Sequence, residues 1–177
     1  NIEPAPWLDD TPRVVGDLTL ELTGDPIEVF AMGAHFGTCL SPGGGNFFSV
    51  VANAADVNKR VIYAKRDGRV VGRCLIALTD TFAILVFNVY AHEDLQLETH
   101  VRDFVLELAR EMGTTVAPRG TVRLLLAHDW YDDGPRDLVG RFRGLDEAGL
   151  DFATIDPASL AGILRSALDR EIDDVTL

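Results

Sequence analysis

The sequence predicts an α/β (α+β) fold: a mixed β-sheet with flanking helices and a βαβ unit. Three observations carry that expectation. Short apolar runs at 60–65, 69–78 and 82–91 follow one another, and the first two are joined by Asp67-Gly68, a strong hairpin signal because both turn residues must take positive φ. Residues 94–112 switch to helical spacing, with Leu97, Val101, Phe104, Val105, Leu108 and Met112 on one stripe. A further apolar run, Thr121–His128, follows that helix, so the strands on either side of it should lie parallel.

Each element has a local reason. Residues 1–13 hold three prolines and Trp7 and read as an extended arm. Val14–Leu22 reads as a first strand, with Leu18, Leu20 and Leu22 on one face. Asp25-Pro26-Ile27-Glu28 is a helix start, with Asp as N-cap and Pro at the first helical position, and the helix should run to about Ala34. Ser41–Asn46 is a glycine-rich loop, and Phe47–Ala55 a short helix with Asn46 as its cap. Phe82–Ala91 is apolar at both parities, as a central strand requires. Gly113 ends the long helix. Asp129–Gly144 reads as loop, Leu150–Ile155 as a last strand, and Asp156-Pro157 caps a closing helix. At 177 residues the expectation is a single domain: an arm at 1–13, a core at 14–130 and a C-terminal addition at 131–177.

Composition narrows the function. Apolar residues make up 47% and DEKR 25%, which is globular rather than disordered or fibrous, and no apolar run reaches membrane-spanning length. The net charge of −12 is uneven: residues 1–30 carry −6, residues 129–177 carry −7, and the middle is +1. Nucleic acid and anionic membranes both select a basic footprint, so neither is an expected partner. A protein partner with a basic surface is. Two cysteines, Cys39 and Cys74, make no disulfide framework. The chain starts at Asn1, not Met, so a fragment or processed product is expected, in the cytoplasm.

The run Val61-Ile62-Tyr63-Ala64-Lys65-Arg66-Asp67-Gly68-Arg69-Val70-Val71-Gly72-Arg73 resembles the central hairpin of the GCN5-related N-acetyltransferase (GNAT) fold. Ile84–Tyr90 then falls where that family has its fourth strand, and Asp94–Met112 where it has its pyrophosphate-binding helix; the likeness spans about residues 14–130. The resemblance implies a substrate cleft lined by the strand that bears Asn88 and Tyr90. It also implies a coenzyme A loop of the form Arg/Gln-x-x-Gly-x-Gly/Ala before the helix. Here that stretch is Ala91-His92-Glu93-Asp94-Leu95-Gln96-Leu97-Glu98-Thr99-His100, with no glycine and three acids. Without glycine, backbone N–H groups cannot approach a pyrophosphate closely, and carboxylates repel it. No pyrophosphate-binding residue carries over, and no cofactor is expected unless acetyl-CoA is held in another way.

Four constellations are candidate chemistry. Lys59, Arg60, Lys65, Arg66, Arg69 and Arg73 against Asp67 give +5 over fifteen residues. With Asp67-Gly68 as a two-residue turn, Arg66 faces Arg69 and Ile62 faces Arg73, and alternation puts Arg60, Arg66, Arg69 and Arg73 on one face, either an anion site or a face neutralised by the acidic terminal segments. Strand ends place His92, Glu93 and Asp94 near His128 and Asp129; the spacing matches no metal motif, so no metal is assigned and His92, His128 and Asp129 are weak candidates only. Cys39, four residues after His35 and before the Gly43–Gly45 loop, could be a nucleophile, with a packed structural cysteine as the simpler reading. Asn88, Asn53, Asp56 and Asn58 are polar residues expected to be buried, more often to fix turns than to catalyse.

The functions that follow are a GNAT-like interaction or accessory module of a larger protein, a divergent acyl-CoA-dependent N-acyltransferase, and a hydrolase using the strand-end cluster or Cys39.

Overall fold

The computed structural model describes residues 2–44, 47–92 and 96–117. Two compact units emerge, one from Asn1–Gly24 with Asn58–Arg123, the other containing Asp25–Val57.

The first unit is a six-stranded sheet whose spatial order follows the chain. Strands β1 (Arg13–Val15), β2 (Leu18–Thr23), β3 (Lys59–Arg66), β4 (Arg69–Leu78) and β5 (Ile84–Ala91) are antiparallel neighbours. After helix α4 (Leu97–Met112), β6 (Val116–Ala117) returns parallel to β5, pairing Ile84 with Val116 and Leu85 with Ala117. This is the mixed sheet with flanking helices and a βαβ unit that the sequence predicts. The expected strand 121–128, the loop 129–144, the strand 150–155 and the closing helix lie outside the described residues.

Helix α4 forms because its apolar stripe buries completely. Leu97, Val101, Phe104, Val105, Leu108 and Met112 join Leu20, Leu22, Ile62, Cys74, Ile76 and Ile84 in one core. Gly113 takes φ +68 and closes the helix, its N–H donating to Arg110 O at 3.2 Å. Arg13 ties β1 to the helix, donating to Glu107 at 3.0 Å and Glu111 at 2.8 Å with its guanidinium over Phe104.

Several expectations are corrected. The arm contains a helical turn, α1 (Ala5–Leu8), that buries Trp7. Val14–Leu22 is two strands, because Gly16 at φ +62 turns the chain with Asp17. Strand β5 is deeply buried only at its start; its second half is half-buried or exposed.

The Asp67-Gly68 turn forms as expected, with φ +51 and +74, and Arg66 faces Arg69. One extra residue in β4 then shifts the register: Ala64 pairs with Gly72 but Lys65 with Val70. A two-residue Asp67-Gly68 turn would set Arg73 opposite Ile62 and Cys74 opposite Val61; instead Arg73 faces Tyr63 and Cys74 faces Ile62. That single residue flips Arg73 to the opposite face from Arg60, Arg66 and Arg69, so the four arginines do not share a face.

In the second unit, α2 (Pro26–Ala31) is capped as predicted: the Asp25 carboxylate accepts from Ile27 N at 2.8 Å and Glu28 N at 3.1 Å. It ends at Ala31, three residues early. Helix α3 (Phe48–Ala55) has Phe47 at its N-cap position in place of Asn46, which lies outside the described residues. Phe30 and Phe47 meet edge to face at 5.6 Å. The chain between them turns tightly at Gly33, where a Cβ would sit 1.9 Å from the Leu40 carbonyl oxygen.

Candidate functional site beside strand β5

The site begins with an irregularity. Cys74 pairs with Val89 and Ile76 with Val86, so two residues of β5, Phe87 and Asn88, stand against the single Leu75. Such a bulge kinks a strand and re-aims its side chains. Asn88 is exposed as a result, which corrects the expectation that it is buried.

Beside the bulge, β5 and α4 enclose a groove of about 350 Å³. Val86, Val89, Val101 and Val105 give it an apolar lining, and Leu106, 52% exposed, stands at its margin. Asn88, Glu98 and Arg102 are its polar members. Glu98 and Arg102 are four apart on α4 and so share a helix face, while the Arg102 guanidinium contacts Asp103 at 3.2 Å. The arrangement suits an aliphatic group with a polar end.

The N-terminus of α4 is built without glycine. Gln96 takes φ +50, and its carbonyl accepts from Thr99 N at 2.9 Å and His100 N at 3.3 Å. Leu97, 3% exposed, is seated on Gly72 so closely that a Cβ at Gly72 would lie 2.1 Å from Leu97 Cδ2. Glu98 places a carboxylate in the first turn, where the helix dipole favours it. The positive end of this helix is thus served by the chain's own acid.

Of the sequence candidates, Asn88 lines the groove and Tyr90 does not. Tyr90 faces Arg73 across the strands, with the guanidinium 4.3 Å from its ring centroid. Arg73 is completely buried. Arg66 pairs with Asp17 at 2.8 Å and Lys65 with Glu21, so the acidic N-terminal stretch supplies counter-charges to the basic hairpin. Arg69 is exposed at the turn. Arg60 packs near Trp7, its Cζ 5.8 Å from the ring centroid. Cys39 is exposed in the second unit, and Cys74 is buried. Asn53 and Asp56 are buried, and the Asn58 carbonyl accepts from Leu78 N at 2.9 Å, anchoring the end of β4. His92 is exposed at the end of β5, its backbone N–H donating to Val71 O at 3.0 Å; His128 and Asp129 lie outside the described residues. Among the described residues, no three His, Cys, Asp or Glu side chains gather where they could hold a metal ion, and no helix is long and apolar enough to cross a membrane.

Sequence reasoning missed Glu98, Arg102 and the Leu97–Gly72 seat. The two charges sit at helix spacing four on α4, which is legible. That they border a groove depends on the bulge, which is not.

No protein-family model matches the chain, and no curated protein does. Among solved structures, the chain is similar to a ribosomal-protein-alanine N-acetyltransferase from Brucella melitensis biovar Abortus 2308. The match has 17% identity and a TM-score of 0.44, over 67% of this chain and 98% of that one.

Proposed function

We propose that this GNAT-like domain is a binding module, working as an interaction or accessory part of a larger protein, and is not an acetyl-CoA-dependent transferase. The observation that carries the reading is the start of α4. Leu97 fills the space over Gly72, Gln96 provides the helix entry without a glycine, and Glu98 supplies the negative charge at the helix dipole. A pyrophosphate brought to that end would meet a carboxylate. The net charge of −12 supports a protein partner with a basic surface.

A second reading has its own support. The bulge at Phe87–Asn88 and the valine-lined groove beside it could take an acyl chain, with Asn88 at the polar end; this is the divergent acyl-CoA-dependent N-acyltransferase. The two part in a thermal-shift titration with acetyl-CoA against free CoA. The module reading expects no concentration-dependent rise in Tm with either. A ligand that binds only the folded state raises Tm once its concentration passes Kd, and the rise continues with the logarithm of concentration, so such a rise replaces the module reading with the transferase.

A further inference from the structure

Among the described residues, the partly buried Arg60 lacks the carboxylate partner that several other arginines have. Arg13, Arg66, Arg102 and Arg110 each meet a carboxylate. Arg60, half-buried at the start of β3, makes no hydrogen bond or ion pair among the described residues. Its Nε is enclosed without an acceptor among the described residues, while the side chain as a whole is only half-buried.

The guanidinium is nonetheless held in place. A Cβ built on Gly24 would lie 2.7, 2.9 and 3.0 Å from its Cζ, Nη2 and Nη1, so the planar group lies flat against that glycine. The Trp7 ring, 4% exposed, holds it by a cation–π contact. Burial pushes the group below its usual pKa, and the negative charge of exposed Asp10 works against that shift without a hydrogen bond to it. A planar fork of donors, fixed in orientation and without a hydrogen-bond partner among the described residues, suits a planar two-oxygen acceptor.

We propose that Arg60, positioned by Trp7 and Gly24, is a receptor for a single carboxylate group, which takes two parallel hydrogen bonds from Nη1 and Nη2. This goes beyond the module reading and does not depend on it. The single positive charge of Arg60, with the carboxylate of Asp10 acting on it, matches a monoanion better than a phosphate dianion. The site is also distinct from the β5–α4 groove, whose lining includes neither Arg60 nor Trp7.

Two-dimensional ¹H–¹⁵N NMR of the whole chain tests it, following the Arg60 Nε–H and Trp7 Nε1–H signals while sodium acetate replaces sodium chloride at constant ionic strength. The expected result is a saturable shift of both signals with acetate, several-fold larger than at the same phosphate concentration. Gly24→Ala keeps the charge but displaces the fork, and Gly24 is not at positive φ, so the chain should fold and the saturable shift should vanish. Asp10→Asn removes a competing charge and should tighten acetate binding. Arg60→Gln should abolish the response, and if that variant fails to fold the other two still decide. A shift that does not saturate, that persists in Gly24→Ala, or that is larger for phosphate overturns the assignment.

Discussion

Replacing Gly72 by alanine tests the seat of α4 more sharply than any surface change. The new Cβ would lie 2.1 Å from Leu97 Cδ2 and 3.1 Å from the Tyr90 carbonyl oxygen. Carbon atoms rest at about 3.5–4.0 Å, so the leucine tip must retreat by roughly 1.5 Å. Gly72 does not have positive φ, so the strain is one of packing, and overpacking of this kind costs about 1–3 kcal/mol. Leu97→Ala removes a side chain that is 3% exposed, and such a truncation costs about 2–5 kcal/mol. In the double variant the clash has no partner and the new methyl fills part of the hole. The tight approach to the Tyr90 oxygen remains, so the pair should fall short of additivity by most of the overpacking cost, about 1–3 kcal/mol. Urea unfolding of the four proteins, with m held constant, reads this directly. Additivity within about 0.5 kcal/mol would mean that Leu97 does not rest on Gly72, and the account of the helix N-terminus would fail with it.

Two further predictions concern local structure. Asp25→Ala removes the acceptor for Ile27 N and Glu28 N and should cost about 1 kcal/mol, whereas Asp25→Asn should retain most of that stability; equal losses in urea unfolding would reject the capping role. Asp9 accepts hydrogen bonds from the Thr11 side chain and backbone, which hold its carboxyl below the usual aspartate value. With the folded value depressed, its contribution is present above the unfolded pKa and fades as pH falls through the folded one. An NMR titration should show Asp9 moving upward in Thr11→Val, and an unchanged titration would exclude the hydroxyl as the cause.

Local signals were legible because they act over a few residues. The Asp25-Pro26 cap, the Asp67-Gly68 turn, the helical stripe of α4 and the Gly113 stop need only a neighbour or the next turn. Gly16-Asp17 carried the same kind of turn signal, but the leucine alternation through 18–22 masks it. What escaped was any displacement by one residue. The extra residue in β4 moves Arg73 across the sheet, from beside Ile62 to between Tyr63 and Tyr90. The extra residue in β5 falls at Phe87–Asn88, where Asn88 is exposed beside the groove, while Tyr90 faces Arg73. Period-two alternation has no memory of a bulge, so every face assignment beyond one is inverted. Trp7 with Arg60 and Leu97 with Gly72 are contacts between distant segments, fixed by packing that alternation and propensity do not encode.

The central claim is that the start of α4 serves the fold and not a coenzyme. Isothermal titration of the whole chain with acetyl-CoA, repeated on Glu98→Gln and on Leu97→Ala, puts it to the most direct test. The account predicts no saturable heat with the unaltered chain and none with either variant. Saturable one-to-one binding by the unaltered chain would contradict it, and would make this glycine-free helix start a coenzyme site.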